Sequence, residues 1–240
     1  MARKRIGDVD FHNELLAQTP QRELDRLASY LHLEEVEKDQ ILYEPGERIT
    51  QVYFPENSLI SLQAQTRNKQ MMEVGAAGAN GVVGVQAILN TQPISHCAVV
   101  QLPGKVWRMS AARLKAEFAR NKPLHDVILR YLQVLITQLS QSIVCNRYHR
   151  IEERLSRWLL TCREETHLDE MALTQKAMAR MLGVPRTLIT MTAQKLKRAG
   201  VIDYEPGCVT IVDEEGLARK ACDCHRIVQE AVALMGGKIR

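Results

Sequence analysis

Residues 173–200 read LTQKAMARMLGVPRTLITMTAQKLKRAG, and this stretch decides the fold prediction for the C-terminal part of the chain. It contains six Lys or Arg residues and no Asp or Glu. Thr174 is a favourable N-cap for a short helix, and Gly183 can end that helix because glycine readily adopts positive φ. Pro185 can begin a second helix, where a missing N–H is no loss. The stretch therefore predicts two short helices joined by a tight turn.

The second helix would carry an apolar face and, away from it, side chains suited to a DNA groove. The predicted apolar residues are Leu188, Ile189, Ala193 and Leu196. The residues predicted to contact DNA are Thr174, Gln175, Pro185, Arg186, Thr187, Thr190, Met191, Lys195 and Lys197. Those on the early turns would face bases in the major groove, whereas the later lysines and Arg198 would contact phosphates. The alternative is a helical hairpin with a solvated basic face.

The sequence after the second helix favours DNA binding over a plain helical hairpin. Two short segments of alternating apolar residues, 201–204 and 208–212, flank the turn sequence Glu205-Pro-Gly207. This pattern predicts a β-hairpin. A β-hairpin directly behind the second helix is typical of a wing, so a winged helix-turn-helix is predicted.

Upstream, the chain changes from helices to strands. Leucines at helical spacing over residues 11–33 indicate short helices broken near Pro20. Over residues 40–108, short apolar runs alternate with Gly or Pro, which is typical of a barrel or jelly roll. A helix is then predicted over 110–120. The N-terminal half is thus expected to be a helical segment followed by a β-roll.

A long helix is predicted from Pro123 onward. Its apolar residues recur at spacings of three or four, namely Ile128, Leu132, Leu135, Leu139 and Ile143. This is the spacing of a coiled-coil seam, although a buried core helix shows a similar stripe. Because a helix-turn-helix protein gains affinity when two copies address half-sites about 34 Å apart, we interpret these residues as a dimerisation seam.

Composition limits the remaining possibilities. The chain has 240 residues, of which 45% are apolar, so it suits one or two packed domains, and no continuous segment is expected to span a membrane. The net charge of +4 is modest, so the DNA prediction rests on the local basic cluster. No signal-peptide core lies between Gly7 and Asn13, and a cytoplasmic location is expected. The six cysteines are expected to be reduced thiols.

Several further motifs occur in a diagnostic order. They are Leu42-Tyr-Glu-Pro-Gly-Glu47, Val52-Tyr-Phe54, Arg154-Leu155, Trp158-Leu-Leu160, Leu173-Thr-Gln175, Gly183, Arg186, Leu196 and Gly200-Val-Ile202. Together they resemble the Crp/Fnr-type bacterial transcription regulators over nearly the whole chain. The resemblance implies an α+β fold in three parts, with N-terminal helices and a cyclic-nucleotide-binding-like β-roll (jelly roll) over residues 1–122, a dimerisation helix over 123–147, and a C-terminal winged helix-turn-helix with a final helix over 148–240.

The resemblance also implies a function. It implies a homodimer that binds double-stranded DNA at an inverted-repeat operator, with RNA polymerase as a compatible further partner. Arg186 corresponds to the arginine that contacts guanine through a bidentate pairing. Thr187 and Met191 stand where many relatives have a glutamate and a second arginine. The operator is therefore expected to differ from theirs.

The β-roll departs from the relatives that bind cyclic nucleotides. Those relatives bind the phosphate with a Gly-Glu pair and a later arginine, whereas this chain has Gly84-Val85 and Ser-His-Cys-Ala at 95–98. A neutral His96 cannot replace a guanidinium group. Cyclic AMP or GMP is therefore not expected as the effector, and no cofactor is predicted. The candidates for lining a pocket for an unidentified effector are Gly84, Val85, His96 and Cys97.

Metal binding and catalysis are not expected. Cys222-Asp-Cys224-His225 forms a compact group of soft ligands, and Cys145 and His149 lie at i, i+4 on one helix face. Neither group supplies four ligands, so packing is favoured and no metal ligand is assigned. Redox relatives hold an iron–sulfur cluster with N-terminal cysteines, and no cysteine precedes Cys97.

An enzyme is disfavoured because residues 75–84 are rich in glycine but lack the Lys-Ser/Thr ending of a phosphate loop. The remaining alternative is a dimeric sensor or interaction module whose winged helix binds protein. Metal or redox sensing would then act through Cys222 and Cys224.

Overall fold

A computed structural model describes residues 5–6, 9–10, 12–68, 71–89 and 93–235, and the expectations for residues 1–4, Gly7 and Phe11 lie outside these ranges. The N-terminal elements are β1 (Arg5–Ile6), β2 (Val9–Asp10), α1 (Glu14–Ala17) and α2 (Gln21–Ala28). The leucines that predicted helices here are buried, namely Leu15, Leu16, Leu24, Leu27 and Leu31. The helical segment ends earlier than predicted, because a strand begins at His32.

The β-roll is built from two antiparallel sheets. Its elements are β3 (His32–Val36), β4 (Ile41–Tyr43), β5 (Gln51–Pro55), β6 (Leu59–Gln65), β7 (Met71–Ala77), a 3-10 helix (Val85–Leu89), β8 (His96–Leu102) and β9 (Gly104–Ser110). One sheet has the order β3-β9-β5 and the other β4-β8-β6-β7. Phe54 and Val106 from the first sheet and Ile60 and Val100 from the second belong to one buried core. The predicted roll is confirmed.

Two helices follow the roll, α3 (Ala111–Arg120) and α4 (Lys122–Tyr148). The Asn121 side chain caps α4 by accepting a hydrogen bond from the Leu124 N–H. By length and composition α4 is long and apolar enough to cross a membrane, contrary to the sequence-based expectation. One such helix is weak support for a membrane span, because packed helices of soluble proteins pass the same test. Here Val127 and Tyr131 of α4 are buried in the core of the roll.

The C-terminal part contains the predicted winged helix-turn-helix. Its elements are α5 (Ile151–Thr166), β10 (Glu170–Met171), α6 (Gln175–Leu182), α7 (Arg186–Arg198), β11 (Ile202–Glu205), β12 (Cys208–Ile211), α8 (Glu214–Lys220) and α9 (Cys224–Met235). The wing has three strands in the order β10-β12-β11. The last helix, α9, packs along α4, and Met235 reaches the core of the roll. The final helix therefore joins the two halves of the chain.

Candidate nucleic-acid interface

The turn between α6 and α7 forms as its sequence predicts. The Thr174 hydroxyl accepts a hydrogen bond of 3.1 Å from the Ala177 N–H at the start of α6. Gly183 ends α6 with a φ of 63°, in the left-handed region that glycine adopts without strain. Pro185 is the exposed N-cap of α7. These local signals fix the angle at which α7 leaves α6.

The buried face of α7 differs by one residue from the prediction. Ile189, Ala193 and Leu196 are buried as expected, but Leu188 is 36% exposed and Thr192 is buried instead. Thr192 tolerates burial because its hydroxyl donates a 2.7 Å hydrogen bond to the Leu188 carbonyl. Leu188 therefore lies at the edge of the exposed face, not in the core.

The opposite face of α7 presents polar and apolar side chains to solvent. Arg186, Thr187 and Met191 are exposed. The Arg186 Nε donates a 2.9 Å hydrogen bond to Oε1 of Gln175 on α6, which orients the guanidinium group. The Thr190 hydroxyl donates to the Arg186 carbonyl at 3.1 Å, so it remains available to other partners as an acceptor. The helix thus presents one oriented guanidinium group, with the side chains of Thr187, Thr190 and Met191 beside it.

The two lysines predicted to contact phosphates have protein partners. Lys195 forms an ion pair with Glu152 at the start of α5. Lys197 lies 2.6 Å from Asp203 of the wing and donates to the Tyr204 carbonyl at 3.2 Å. All four charged side chains are partly or largely solvent-exposed, and such pairs contribute little to stability because water screens them. A phosphate can therefore compete for either lysine at little energetic cost.

Two family models match this chain in the order of its structure. Residues 33–121 match the cyclic nucleotide-binding domain, and residues 153–220 match the Crp-like helix-turn-helix domain. The chain belongs to the Crp/Fnr-type regulator family. It is therefore a transcription regulator with a helix-turn-helix DNA-binding domain, and regulators of this type are generally not enzymes.

Solved structures support the fold of this Crp/Fnr-type regulator. FixK2 from Bradyrhizobium japonicum is 13% identical with a TM-score of 0.67, and the match covers 80% of this chain and 98% of FixK2. The c-di-GMP-responsive global regulator CLP of Xanthomonas campestris is 15% identical with a TM-score of 0.62, covering 80% and 99% of the two chains. A CRP/FNR-family transcriptional regulator from Thermus thermophilus is 17% identical with a TM-score of 0.63, covering 79% and 98%. No curated protein matches the sequence.

The four residues that were predicted to line an effector pocket lie in two different places in the β-roll. Gly84 has a φ of 85°, and a Cβ at this position would lie 2.9 Å from the Gln51 carbonyl oxygen of β5. Val85 beside it is buried. The His96 Nε2 instead lies 3.2 Å from the Tyr43 hydroxyl, and burial lowers the pKa of His96. The Cys97 thiol donates to the Gln63 carbonyl at 3.5 Å. Gly84 therefore contacts β5, whereas His96 and Cys97 contact β4 and β6.

The predicted dimerisation seam needs correction at two of its five positions. Ile128 and Leu135 are 0% and 7% exposed, because they pack into the core of the roll. Leu132 and Leu139 are half-buried at the edge of that core, and Ile143 is 73% exposed. The predicted stripe therefore mixed core positions with surface positions.

A different apolar stripe on α4 is available to a partner. Leu129 and Ile136 are 46% and 58% exposed and lie fourteen and seven residues before Ile143, respectively. With Leu132 and Leu139 between them, these residues recur at alternating spacings of three and four, which is a heptad pattern. We call Leu129, Leu132, Ile136, Leu139 and Ile143 the outer stripe of α4.

The helix-turn-helix also contacts the roll of its own chain. Arg180 of α6 lies 3.1 Å from Asp39, and Lys38 donates to the Ala172 carbonyl at 2.8 Å. The Ser61 hydroxyl of β6 donates to the Met181 sulfur at 3.4 Å. Sequence spacing gives no signal for contacts between residues so far apart along the chain. This contact leaves the exposed face of α7 free.

Two half-buried glutamates lie where α5 meets the roll. Oε1 of Glu73 accepts a 3.0 Å hydrogen bond from the Trp158 indole N–H, and Oε2 of Glu165 accepts one of 3.0 Å from the Asn80 backbone N–H. Burial raises the pKa of each carboxyl group to about 7, and these hydrogen bonds only partly oppose it. The contact between the two halves of the chain is therefore expected to depend on pH.

Proposed function

We propose that this regulator is a homodimer that binds an inverted-repeat operator with one α7 helix per half-site. The observation that carries the proposal is the exposed face of α7, where Gln175 orients Arg186 and leaves Thr187 and Met191 free to contact bases. The outer stripe of α4 supports the dimer, because it is an apolar heptad pattern in which Leu129, Ile136 and Ile143 are exposed to solvent. The dimer would act with RNA polymerase in the cytoplasm.

We also propose that cyclic AMP and GMP are not effectors of this protein. The atoms nearest to a Cβ at Gly84 belong to Gln51, Ile49 and Val52, none of which carries a positive charge. A cyclic nucleotide phosphate requires a cation or several N–H donors when it is removed from water. A buried Val85 beside Gly84 supplies neither from its side chain.

Selection of bound duplexes from a random DNA pool tests the proposed function directly. The purified full-length chain, without added effector, is expected to enrich an inverted repeat whose half-site centres are about 34 Å, one helical turn, or a multiple of it apart. Enrichment of a single, unrepeated half-site would contradict the dimer. Failure to enrich any sequence, with and without cyclic nucleotide, would favour the alternative in which the winged helix binds protein.

Arg186→Ala is expected to relax the operator at one base position. The loss of a bidentate contact with guanine should weaken binding to the selected operator by about 5- to 150-fold and reduce discrimination at that position alone. Arg198→Ala is the matched control, because it removes an exposed guanidinium from the last turn of the same helix. It should weaken all sequences equally. Repeating the selection with both variants distinguishes loss of discrimination at one base position from weaker binding to all sequences. If Arg186→Ala selects the same operator as the wild type, Arg186 does not contact a base.

A further inference from the structure

Four potential metal ligands converge where the last turn of α4 meets the first turn of α9. They are Cys145, His149, Cys222 and Cys224, and their ligand atoms all lie within 4.8 Å of one another. The Sγ atoms of Cys145 and Cys222 are 3.6 Å apart, and Cys224 Sγ is 3.6 Å from His149 Nδ1. The three cysteines are between 1% and 6% exposed. In the sequence these residues form two separate groups, each with only two of the four ligands that a tetrahedral site needs. The packing of α9 on α4 brings the two groups together.

The Cys145–Cys222 and Cys224–His149 distances match those in a tetrahedral metal site, and the other ligand pairs lie within 4.8 Å of one another. With metal–sulfur bonds of about 2.3 Å and a metal–nitrogen bond of about 2.0 Å, two sulfurs lie about 3.8 Å apart and a sulfur and a nitrogen about 3.5 Å apart. A polynuclear iron–sulfur cluster would hold its thiolates farther apart, because several metal atoms lie between them. We propose that Cys145, His149, Cys222 and Cys224 form a structural zinc site.

The surroundings of the cluster suit such a site. A zinc ion with three thiolates and a neutral histidine carries a net charge of about −1. Arg157 and Arg154 both interact electrostatically with the cysteines. Nη1 of Arg157 and Nε of Arg154 are buried and have no hydrogen-bond acceptor within the described residues. Buried donors without acceptors are costly, and a negatively charged metal site beside the two guanidinium groups would offset part of that cost.

The remaining nitrogen of the histidine also has a suitable partner. Nδ1 of His149 faces Cys224, while Nε2 lies 3.6 Å from Oδ1 of Asp223. Metal-bound histidines usually direct their second nitrogen to a carboxylate or carbonyl, which fixes the ring orientation. Asp223 lies between two of the proposed ligands in sequence, so the segment 222–224 supplies both ligands and the residue that orients a third.

The position of the site indicates what the ion does. Tyr148 is the last residue of α4, and α5 begins at Ile151, so His149 lies in the link between the long helix and the DNA-binding half. The ion would fasten α9 to α4 at this link. It would therefore fix the orientation of the link between the halves, and it would add stability that chelators remove.

Metal analysis of the full-length chain tests this proposal. Protein purified under reducing conditions, stripped with a chelator and dialysed against Zn²⁺ is expected to retain about one zinc per chain. Co²⁺ in place of Zn²⁺ should give the intense visible absorption of tetrahedral cobalt and a thiolate-to-cobalt charge-transfer band. Zinc should also raise the thermal unfolding midpoint of the stripped protein.

Variants separate this site from adventitious binding. Cys224→Ser and, independently, His149→Gln are expected to lose the stoichiometric zinc and the cobalt spectrum, whereas Cys208→Ser, which alters a half-buried wing cysteine, should retain both. Circular dichroism checks that each variant is folded. The proposal is overturned if the wild-type chain retains no stoichiometric zinc, or if folded Cys224→Ser gives the wild-type cobalt spectrum. Recovery of a Cys145–Cys222 disulfide from reducing buffer in place of zinc would also overturn it. None of these readouts depends on DNA binding.

Discussion

Ile136→Glu is expected to convert the proposed dimer into monomers and to weaken operator binding by about 10²- to 10⁴-fold. Ile136 is 58% exposed at the centre of the outer stripe of α4, where it would meet its counterpart in a partner helix. Two glutamates at that position would be desolvated beside each other, which strongly disfavours association. A monomer addresses only one half-site and loses the gain from simultaneous binding of the second. Analytical ultracentrifugation and titration of the selected operator measure both effects.

Ile41→Glu is the matched control for this experiment. Ile41 is 54% exposed, but it lies on β4 of the roll, far from the outer stripe in the sequence. The same chemical change at this site is expected to leave the dimer and operator affinity unchanged. If Ile136→Glu remains dimeric, the interface lies elsewhere on the molecule. If it becomes monomeric yet binds the inverted repeat with wild-type affinity, the proposed mode of operator recognition is wrong.

Thermal stability is expected to fall as the pH rises from about 4.5 to about 7, and Glu165 is expected to cause part of that fall. Burial raises the pKa of Glu165 from 4.5 to about 7 in the folded chain. Below about pH 4.5 the carboxyl group is protonated in both states, so its contribution to stability is fully present. Between these pH values the carboxyl group of Glu165 is ionised in the unfolded chain but still protonated in the folded chain, so stability is lost as the pH rises. Above about pH 7 the loss is complete, at about 3 kcal/mol.

Glu165→Gln is expected to remove the part of the pH-dependent loss of stability that Glu165 causes. Glutamine can still accept the hydrogen bond from the Asn80 N–H, but it does not ionise. The unfolding midpoint at about pH 8 should rise by about 6 to 12 °C over the wild type, with little difference near pH 4.5. Differential scanning calorimetry across this range measures both.

The charged and titratable neighbours of the two carboxyl groups define what else contributes to this pH dependence. Glu164 beside Glu165 raises its pKa further, and Tyr131 of α4 faces it. Glu73 titrates in the same range, and Arg157 partly opposes its pKa shift. A residual slope in Glu165→Gln is therefore expected. Glu35→Gln, an exposed carboxyl group on β3, is the control and should follow the wild-type curve. Parallel curves for Glu165→Gln and the wild type would show that Glu165 is ionised in the folded protein.

The order of elements and the helix-turn-helix could be predicted from the sequence because their signals are local. Thr174, Gly183 and Pro185 act within a few residues of the turn that they define. The alternation of short apolar runs with Gly and Pro likewise predicts strands wherever it occurs. The resemblance to the Crp/Fnr-type regulators then predicted how these elements combine into one architecture. The exposed face of α7 followed from helical periodicity, except at Leu188 and Thr192, which lie at its boundary.

The choice between core and interface on α4 could not be made from periodicity. An apolar stripe marks a buried face, but it does not say what buries it. The sequence predicted Ile128 and Leu135 for a partner, whereas the roll of the same chain covers them and leaves Leu129 and Ile136 exposed. The sequence did not predict the ion pairs of Lys195 and Lys197 for a related reason. Their partners, Glu152 and Asp203, lie on other elements.

The sequence by itself determined the winged helix-turn-helix and the long helix, since their signals lie close together in the chain. It also indicated the strands of the β-roll, but their pairing joins residues as far apart as His32 and Arg108 and was implied only by the family resemblance. Only the tertiary structure decided which face of α4 is exposed, which groups surround the half-buried Glu73 and Glu165, and that Cys145 and His149 meet Cys222 and Cys224. The physical reason is that burial, pKa and ligand geometry depend on distances between residues 70 or more positions apart, and packing of whole elements sets those distances.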